Sequence, residues 1–168
     1  MLGLATFGSL VLARKAIQSI SALCKYFVYP RINLAKRYGQ GSWALITGAS
    51  SGLGKAYSFE LAREGFNIIL MGRDKTRTDQ VADEIRTATG VKTKVLIFDF
   101  DRLETEAAAN ELEQLLKSNV TDLDVSILAN NAGVLHIGRL GDKEIDDLRT
   151  MINVNVNAQT YMSIFMLP

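Results

Sequence analysis

The chain has 168 residues, 48% hydrophobic and 22% charged, which suits one globular domain with a sizeable core. One cysteine, Cys24, excludes an internal disulfide and fits a reducing compartment or a face turned to the cytosol, while one histidine, His136, without a ligand cluster argues against a zinc site. The net charge of +1 conceals an asymmetry, +6 over residues 1–40 and −5 over the rest, and the early cations alternate with Leu, Ile and Phe, so a membrane-facing segment is expected and nucleic-acid binding is not.

The first stretch, "LGLATFGSLVLA", is nearly all apolar until Arg14 and Lys15 interrupt it. A transmembrane helix needs roughly 20 apolar residues, and two central cations cost about 2.5–3.5 kcal/mol each on insertion. From Arg14 onward the pattern is amphipathic. Ile17, Ile20, Leu23, Cys24, Phe27 and Val28 share one helical face; Arg14, Lys15, Gln18, Ser21 and Lys25 share the other. Tyr26 and Tyr29 suit an interface. The pattern predicts a membrane-associating leader over residues 1–30: a shallow insertion of residues 2–12, then an interfacial helix ended by Pro30. Two other readings compete, a helix packed on the body or a partner and a cleaved signal peptide, although the start lacks a positive n-region. Residues 31–41, with "NLAKRYGQG", read as a linker.

The body, residues 42–168, alternates strands and helices. Strands are expected at 43–47 ("WALIT"), 67–71 ("NIILM"), 94–98 ("KVLIF") and 125–129 ("VSILA"). Helices are expected over 53–64, 76–89 and 103–117, with one long final helix over 142–167. Strands that are apolar throughout suit a sheet covered on both faces. The alternation predicts an α/β fold, a doubly wound parallel sheet of Rossmann type with four strands, preceded by the N-terminal helix.

Between the first strand and the first helix stands "TGASSGLG". In such sheets this is where a dinucleotide pyrophosphate sits, on the helix N-terminus. Gly48 would allow the tight turn, Gly52 the close approach of backbone to phosphate, and Gly54 the packing of helix on strand. A left-handed turn that merely needs glycine is the bland alternative. The end of the second strand bears on the cofactor. A carboxylate there binds the ribose hydroxyl of NAD, and a cation accommodates the extra phosphate of NADP. The sequence reads "LMGRDK", with Gly72 in the acid's place and Arg73 after it, which favours NADP. Neighbouring Asp74 opposes that reading, and Arg73 could also be a solvated loop charge. His136 reads as a loop histidine near the mouth of the site. Asn155 shares a stripe with Ile145, Leu148, Ile152 and Met162, and so needs a buried partner.

"TGASSGLG", "FDF" and "NNAG", in this order over about residues 42–168, resemble the short-chain dehydrogenase/reductase family. The resemblance implies the strand order 3-2-1-4. It implies that Gly48, Ser50, Ser51, Gly52, Leu53 and Gly54 surround the pyrophosphate and ribose phosphate. Asp99 would hold the adenine amino group. Asn130, with Asn131, Ala132 and Gly133, would brace the sheet beside the cofactor ribose. Asn155, in "NVNVNA", falls at the family's active-site asparagine, which supports the catalytic lysine through water.

The family's serine and its Y-x-x-x-K pair are not found. The tyrosines are Tyr26, Tyr29, Tyr38, Tyr57 and Tyr161, and none has a lysine four residues on. The chain is therefore expected to hold a cofactor half-site, truncated before the acid–base half. The basic leader followed by "YGQGSWALITGASSGLGKAYSFELAREGFNIILMGR" resembles the membrane-bound very-long-chain 3-oxoacyl-CoA reductases and related 17β-hydroxysteroid dehydrogenases. That branch implies reduction of a lipid ketone with NADPH at the endoplasmic reticulum membrane, the body facing the cytosol, in the setting of fatty acid elongation. A catalytically inactive product that binds NADP, or pairs with a full-length relative, is the alternative. Both leave room for homo- or hetero-oligomers.

Overall fold

The computed structural model describes residues 2–27 and 32–167. The chain divides into two units, residues 1–33 and residues 34–168.

The first unit is one continuous helix, α1 (Leu2–Phe27). A shallow segment followed by a separate interfacial helix was the expectation; here the helix runs unbroken through Arg14 and Lys15, with no proline before position 30 to stop it. Leu10, Ile17, Ile20 and Leu23 lie on its apolar arc and are all exposed. No helix among the described residues is long and apolar enough to cross a membrane. The stop expected at Pro30, together with Val28 and Tyr29, lies outside the described residues.

The second unit opens with a short helix, α2 (Leu34–Tyr38), inside the stretch read as a linker. Leu34 and Ala35 pack against the body's core. Ser42 Oγ donates to the Gly39 carbonyl at 2.8 Å and bonds Ser126 Oγ at 2.7 Å, tying the end of this stretch to the sheet. The sheet has four parallel strands: β1 (Trp43–Thr47), β2 (Asn67–Gly72), β3 (Thr93–Ile97) and β4 (Val125–Ala129). Their order is β3-β2-β1-β4, as the resemblance implied.

The apolar runs are explained by two covered faces. Ala44, Ile46, Ile68 and Leu70 point to one side, beneath α3 (Gly52–Arg63) and α4 (Lys75–Thr89), where they meet Ala62, Val81 and Ile85. Leu45, Ile69, Met71 and Leu96 point to the other, with Leu112 and Leu116 of α5 (Glu106–Val120) and Met162. This alternation is the period of two expected for strands. Sharp starts come from side-chain caps: Asp74 accepts from Arg77 N at 3.0 Å for α4, and Thr105 from Ala108 N at 3.2 Å for α5. The fifth helix starts three residues later than its composition suggested, because a 3-10 turn, Phe100–Arg102, capped by Asp99, intervenes after β3.

The final helix runs without a break from Ile145 to Met166, within the expected 142–167, but its winding changes midway. It comprises α6 (Ile145–Ile152), a π-helical turn (Asn153–Asn157) and α7 (Ala158–Met166). The turn coincides with the three asparagines of "NVNVN". Asn153 Nδ2 donates to the Asp101 carbonyl at 2.8 Å, in the turn after β3. Asn155 reaches the loop after β4, and Asn157 Nδ2 donates to Asn153 Oδ1 at 2.9 Å. Partly or fully buried amides need such partners, and a widened turn is a common way to aim them.

Candidate functional site

The loops leaving the C-terminal ends of the four strands surround a cleft of about 650 Å³. Residues from all four contribute: Gly48 to Leu53 after β1, Gly72 to Arg77 after β2, Phe98 to Phe100 after β3, and Asn131 to Val134 after β4. A larger hollow, about 830 Å³, lies between α3 and α4. It is walled by Asp79, Asp83 and Glu84, each paired with a cation (Lys75, Arg86 and Lys55), and its lining residues include no cation to hold a polyphosphate.

Two glycines of the first loop are fixed by contact. A Cβ on Gly48 would stand 2.9 Å from Ala132 Cα, and one on Gly54 only 2.3 Å from the Gly48 carbonyl oxygen and 2.5 Å from Asn131 Nδ2. Gly52 differs: its φ is +56°, and nothing lies within 4 Å of the position a Cβ would take. Its requirement is the backbone conformation, and the space beside it is open. Helix α3 begins here with Ser51 as N-cap, and the serine side chain makes no capping bond. The first-turn N–H groups therefore have no acceptor inside the helix, and no acid stands among them. This is an anion-binding arrangement.

The β4 loop is stitched to β1 by Thr47 and Asn131. Thr47 Oγ1 accepts the N–H groups of Asn131 and Ala132, both at 3.0 Å. Asn131 Nδ2 donates to the carbonyls of Thr47 at 2.9 Å and Gly48 at 3.3 Å. Of the group expected to brace the sheet, Asn130 with Asn131, Ala132 and Gly133, it is the Asn131 side chain that bonds to the end of β1. Strand alternation turns Asn130 to the other side, where its Nδ2 donates to Ser163 Oγ at 3.0 Å, and it does not line the cleft. Ala132 and Gly133 do line it. Thr47 was overlooked as a site residue; the signal was a hydroxyl closing the otherwise apolar run "WALIT".

Asn155 is committed through its side chain. Oδ1 accepts from Val134 N at 2.9 Å, and Nδ2 donates to the Val134 carbonyl at 2.8 Å. It clamps the loop that walls the cleft without lining it. His136 lies beyond that wall, its Nδ1 3.3 Å from Asp147.

At the end of β2, Gly72 has a contact that the sequence could not show. A Cβ there would lie 2.8 Å from Thr78 Oγ1. Thr78 is fully buried and its hydroxyl donates to the Asp74 carbonyl at 2.6 Å. Arg73 is exposed, lines the cleft and has no ion pair among the described residues. Arg77, also in the wall, was missed; its place three residues after the cap Asp74 is the only signal. Asp99 lines the cleft as well, its Oδ1 accepting from Asp101 N at 3.2 Å.

Comparison with known proteins places this architecture. The family model described as short chain dehydrogenase matches residues 42–168. A very-long-chain 3-oxoacyl-CoA reductase of Aspergillus oryzae is 43% identical over 130 residues, covering 77% of this chain and 36% of the relative. One of Coprinopsis cinerea is 34% identical over 172 residues, covering 100% of this chain and 48% of the relative. The chain thus spans less than half the length of these curated relatives. Among solved structures, a short-chain dehydrogenase from Sphingobium yanoikuyae in complex with NADPH is 32% identical, with a TM-score of 0.65 over 74% of this chain and 46% of that one.

Proposed function

Because this chain belongs to the short-chain dehydrogenase/reductase family, we propose that it is the cofactor-binding part of an NADPH-dependent oxidoreductase that reduces a ketone on a lipid, a 3-oxoacyl-CoA or a steroid. The choice of NADPH rests on one observation above all: a Cβ at position 72 would press on the Thr78 hydroxyl at 2.8 Å. An aspartate or glutamate there, the group that would bind the ribose hydroxyl of NAD, would disturb the Thr78 hydroxyl and its bond to the Asp74 carbonyl. Arg73, beside it and free of a carboxylate partner among the described residues, offers a planar guanidinium suited to a phosphate.

The residues present fit such a dinucleotide. Gly54 allows the close seating of α3, the uncapped helix start faces the pyrophosphate, and Ser50, Ser51 and Leu53 flank it. Asp99 stands where the adenine amino group would be received. Thr47, Asn131 and Asn155 hold the wall from behind, so that the loop does not need to be ordered on binding. When bound, the reduced nicotinamide supplies the hydride. A proton donor for the carbonyl oxygen is also required, and within these 168 residues no tyrosine is followed by lysine four positions on.

The lipid substrate is supported by the names of the relatives and by the amphipathic leader; a place at the endoplasmic reticulum membrane, with the body on the cytosolic side, is part of the same proposal. Calorimetric titration separates the cofactor proposal from its rivals. The 168-residue chain binds NADPH more tightly than NADH, the preference shrinks in Arg73→Ala, and no 3-oxoacyl-CoA or ketosteroid is turned over. Equal affinity for both cofactors contradicts the cofactor assignment; turnover abolished by Gly52→Asp contradicts the assignment of a half-site.

A further inference from the structure

Two carboxylates line the cleft, Asp74 and Asp99, and Asp74 stands directly beside Arg73. An uncompensated carboxylate at that point would repel a phosphate. Like charges a few ångströms apart repel appreciably even near a protein surface. The carboxylate is not left to face the cleft alone. Its Oδ1 accepts the backbone N–H of Arg77 at 3.0 Å, and its Oδ2 lies 3.3 Å from Arg77 Nε. The cap requires only the N–H, which any residue but proline supplies. The guanidinium contact is therefore a separate provision. Stability does not explain it, because the two side chains are 72% and 43% exposed and ion pairs so placed contribute little.

We propose that Arg77 is a specificity-determining positioning residue: by pairing with Asp74 it keeps the corner around Arg73 net positive and so selects a phosphate-bearing ribose. The inference rests on the NADPH reading above. With Arg77 in place the corner holds two guanidinium groups and one carboxylate; without it, Arg73 and Asp74 cancel. The ribose of NADH carries no such phosphate and does not sense the difference. Arg77 acts through Asp74, so removing the carboxylate as well must undo the loss.

The test is calorimetric titration of the full 168-residue chain with NADPH and, separately, NADH, for the parent, Arg77→Ala, Asp74→Asn and the double variant. Asparagine retains the cap at position 74, so the fold survives the change. Arg77→Ala is expected to weaken NADPH by about tenfold and NADH by less than about twofold, the scale of one charge-assisted contact. The double variant is expected to regain NADPH affinity to within about threefold of the parent. The inference is overturned if Arg77→Ala leaves NADPH unaffected, weakens both cofactors equally, or shows a loss that persists in the double variant. A parent that binds both cofactors equally overturns the NADPH reading and this inference together; a parent that prefers NADPH while Arg77→Ala prefers it as strongly overturns this inference alone.

Discussion

Gly54 and Gly52 stand two residues apart and are needed for different reasons. At Gly54 a Cβ would press into the Gly48 carbonyl and the Asn131 amide, both fixed parts of the fold. Gly54→Ala is expected to cost about 1–3 kcal/mol, as overpacking does, and to lower the urea midpoint of the chain. At Gly52 the surrounding space is open and only the positive φ matters, so Gly52→Ala is expected to cost about 1 kcal/mol or slightly more through the left-handed backbone. An unchanged urea midpoint in Gly54→Ala would show that α3 does not press on the loop as described. The two asparagines after β4 give a second contrast. Asn131→Ala strips the carbonyls of Thr47 and Gly48 of their donor, which costs about 1–3 kcal/mol for buried groups. Asn130→Ala removes one bond to Ser163 from a side chain whose Oδ1 is already buried without a partner among the described residues. Asn131→Ala should therefore be the more destabilising in urea; the reverse order would give the bracing role to Asn130.

Among the elements, β4 is the exposed side of the design. It pairs with β1 alone, and all five of its residues are only partly buried, whereas Ala44 to Ile46 of β1 are fully buried and paired on both sides. An edge of this kind leaves N–H and C=O groups open to other chains. Amides of Val125 to Ala129 are expected to exchange with deuterium much faster than those of Ala44 to Thr47, and the isolated body to self-associate through that edge. Equal protection in both strands, in a monodisperse monomer, contradicts this. The four strands were legible to within a residue because each is a short apolar run bounded by turn residues, and the order followed from the family resemblance. Helix ends were less legible. The 3-10 turn after β3 depends on the cap made by Asp99, and the π-helical turn depends on partners distant in sequence, Asp101 and Val134. The same limit applies at the site. Gly48 and Arg73 were legible from local pattern, Ser50, Ser51, Leu53 and Asp99 only through the family resemblance, and all of these line the cleft. Thr78 acts through a contact that no local spacing encodes, whereas Asn131, named with Asn130 by the resemblance, bonds to the carbonyls at the end of β1.

At the scale of the whole chain, charge and apolar surface are partitioned. The leader unit combines Arg14 and Lys15 with exposed Leu10, Ile17, Ile20 and Leu23 on one long helix, while the remainder of the chain is mildly acidic. Each cation near an anionic membrane surface contributes about 1 kcal/mol. The chain is expected to co-float with vesicles, more strongly when they contain anionic lipid, and removal of residues 1–30 should release it; flotation that survives the deletion would move the membrane contact to the body. In the body, the loops at one end of the parallel sheet are proposed to form a dinucleotide site. Amide chemical-shift mapping during a titration with NADPH tests it most directly. Saturable shifts are expected in Gly48 to Gly54, Arg73 to Arg77 and Asn131 to Val134, and with NADH the Arg73 to Arg77 group should move least. Saturable shifts confined to the hollow between α3 and α4, or none in the three loops, would contradict the account.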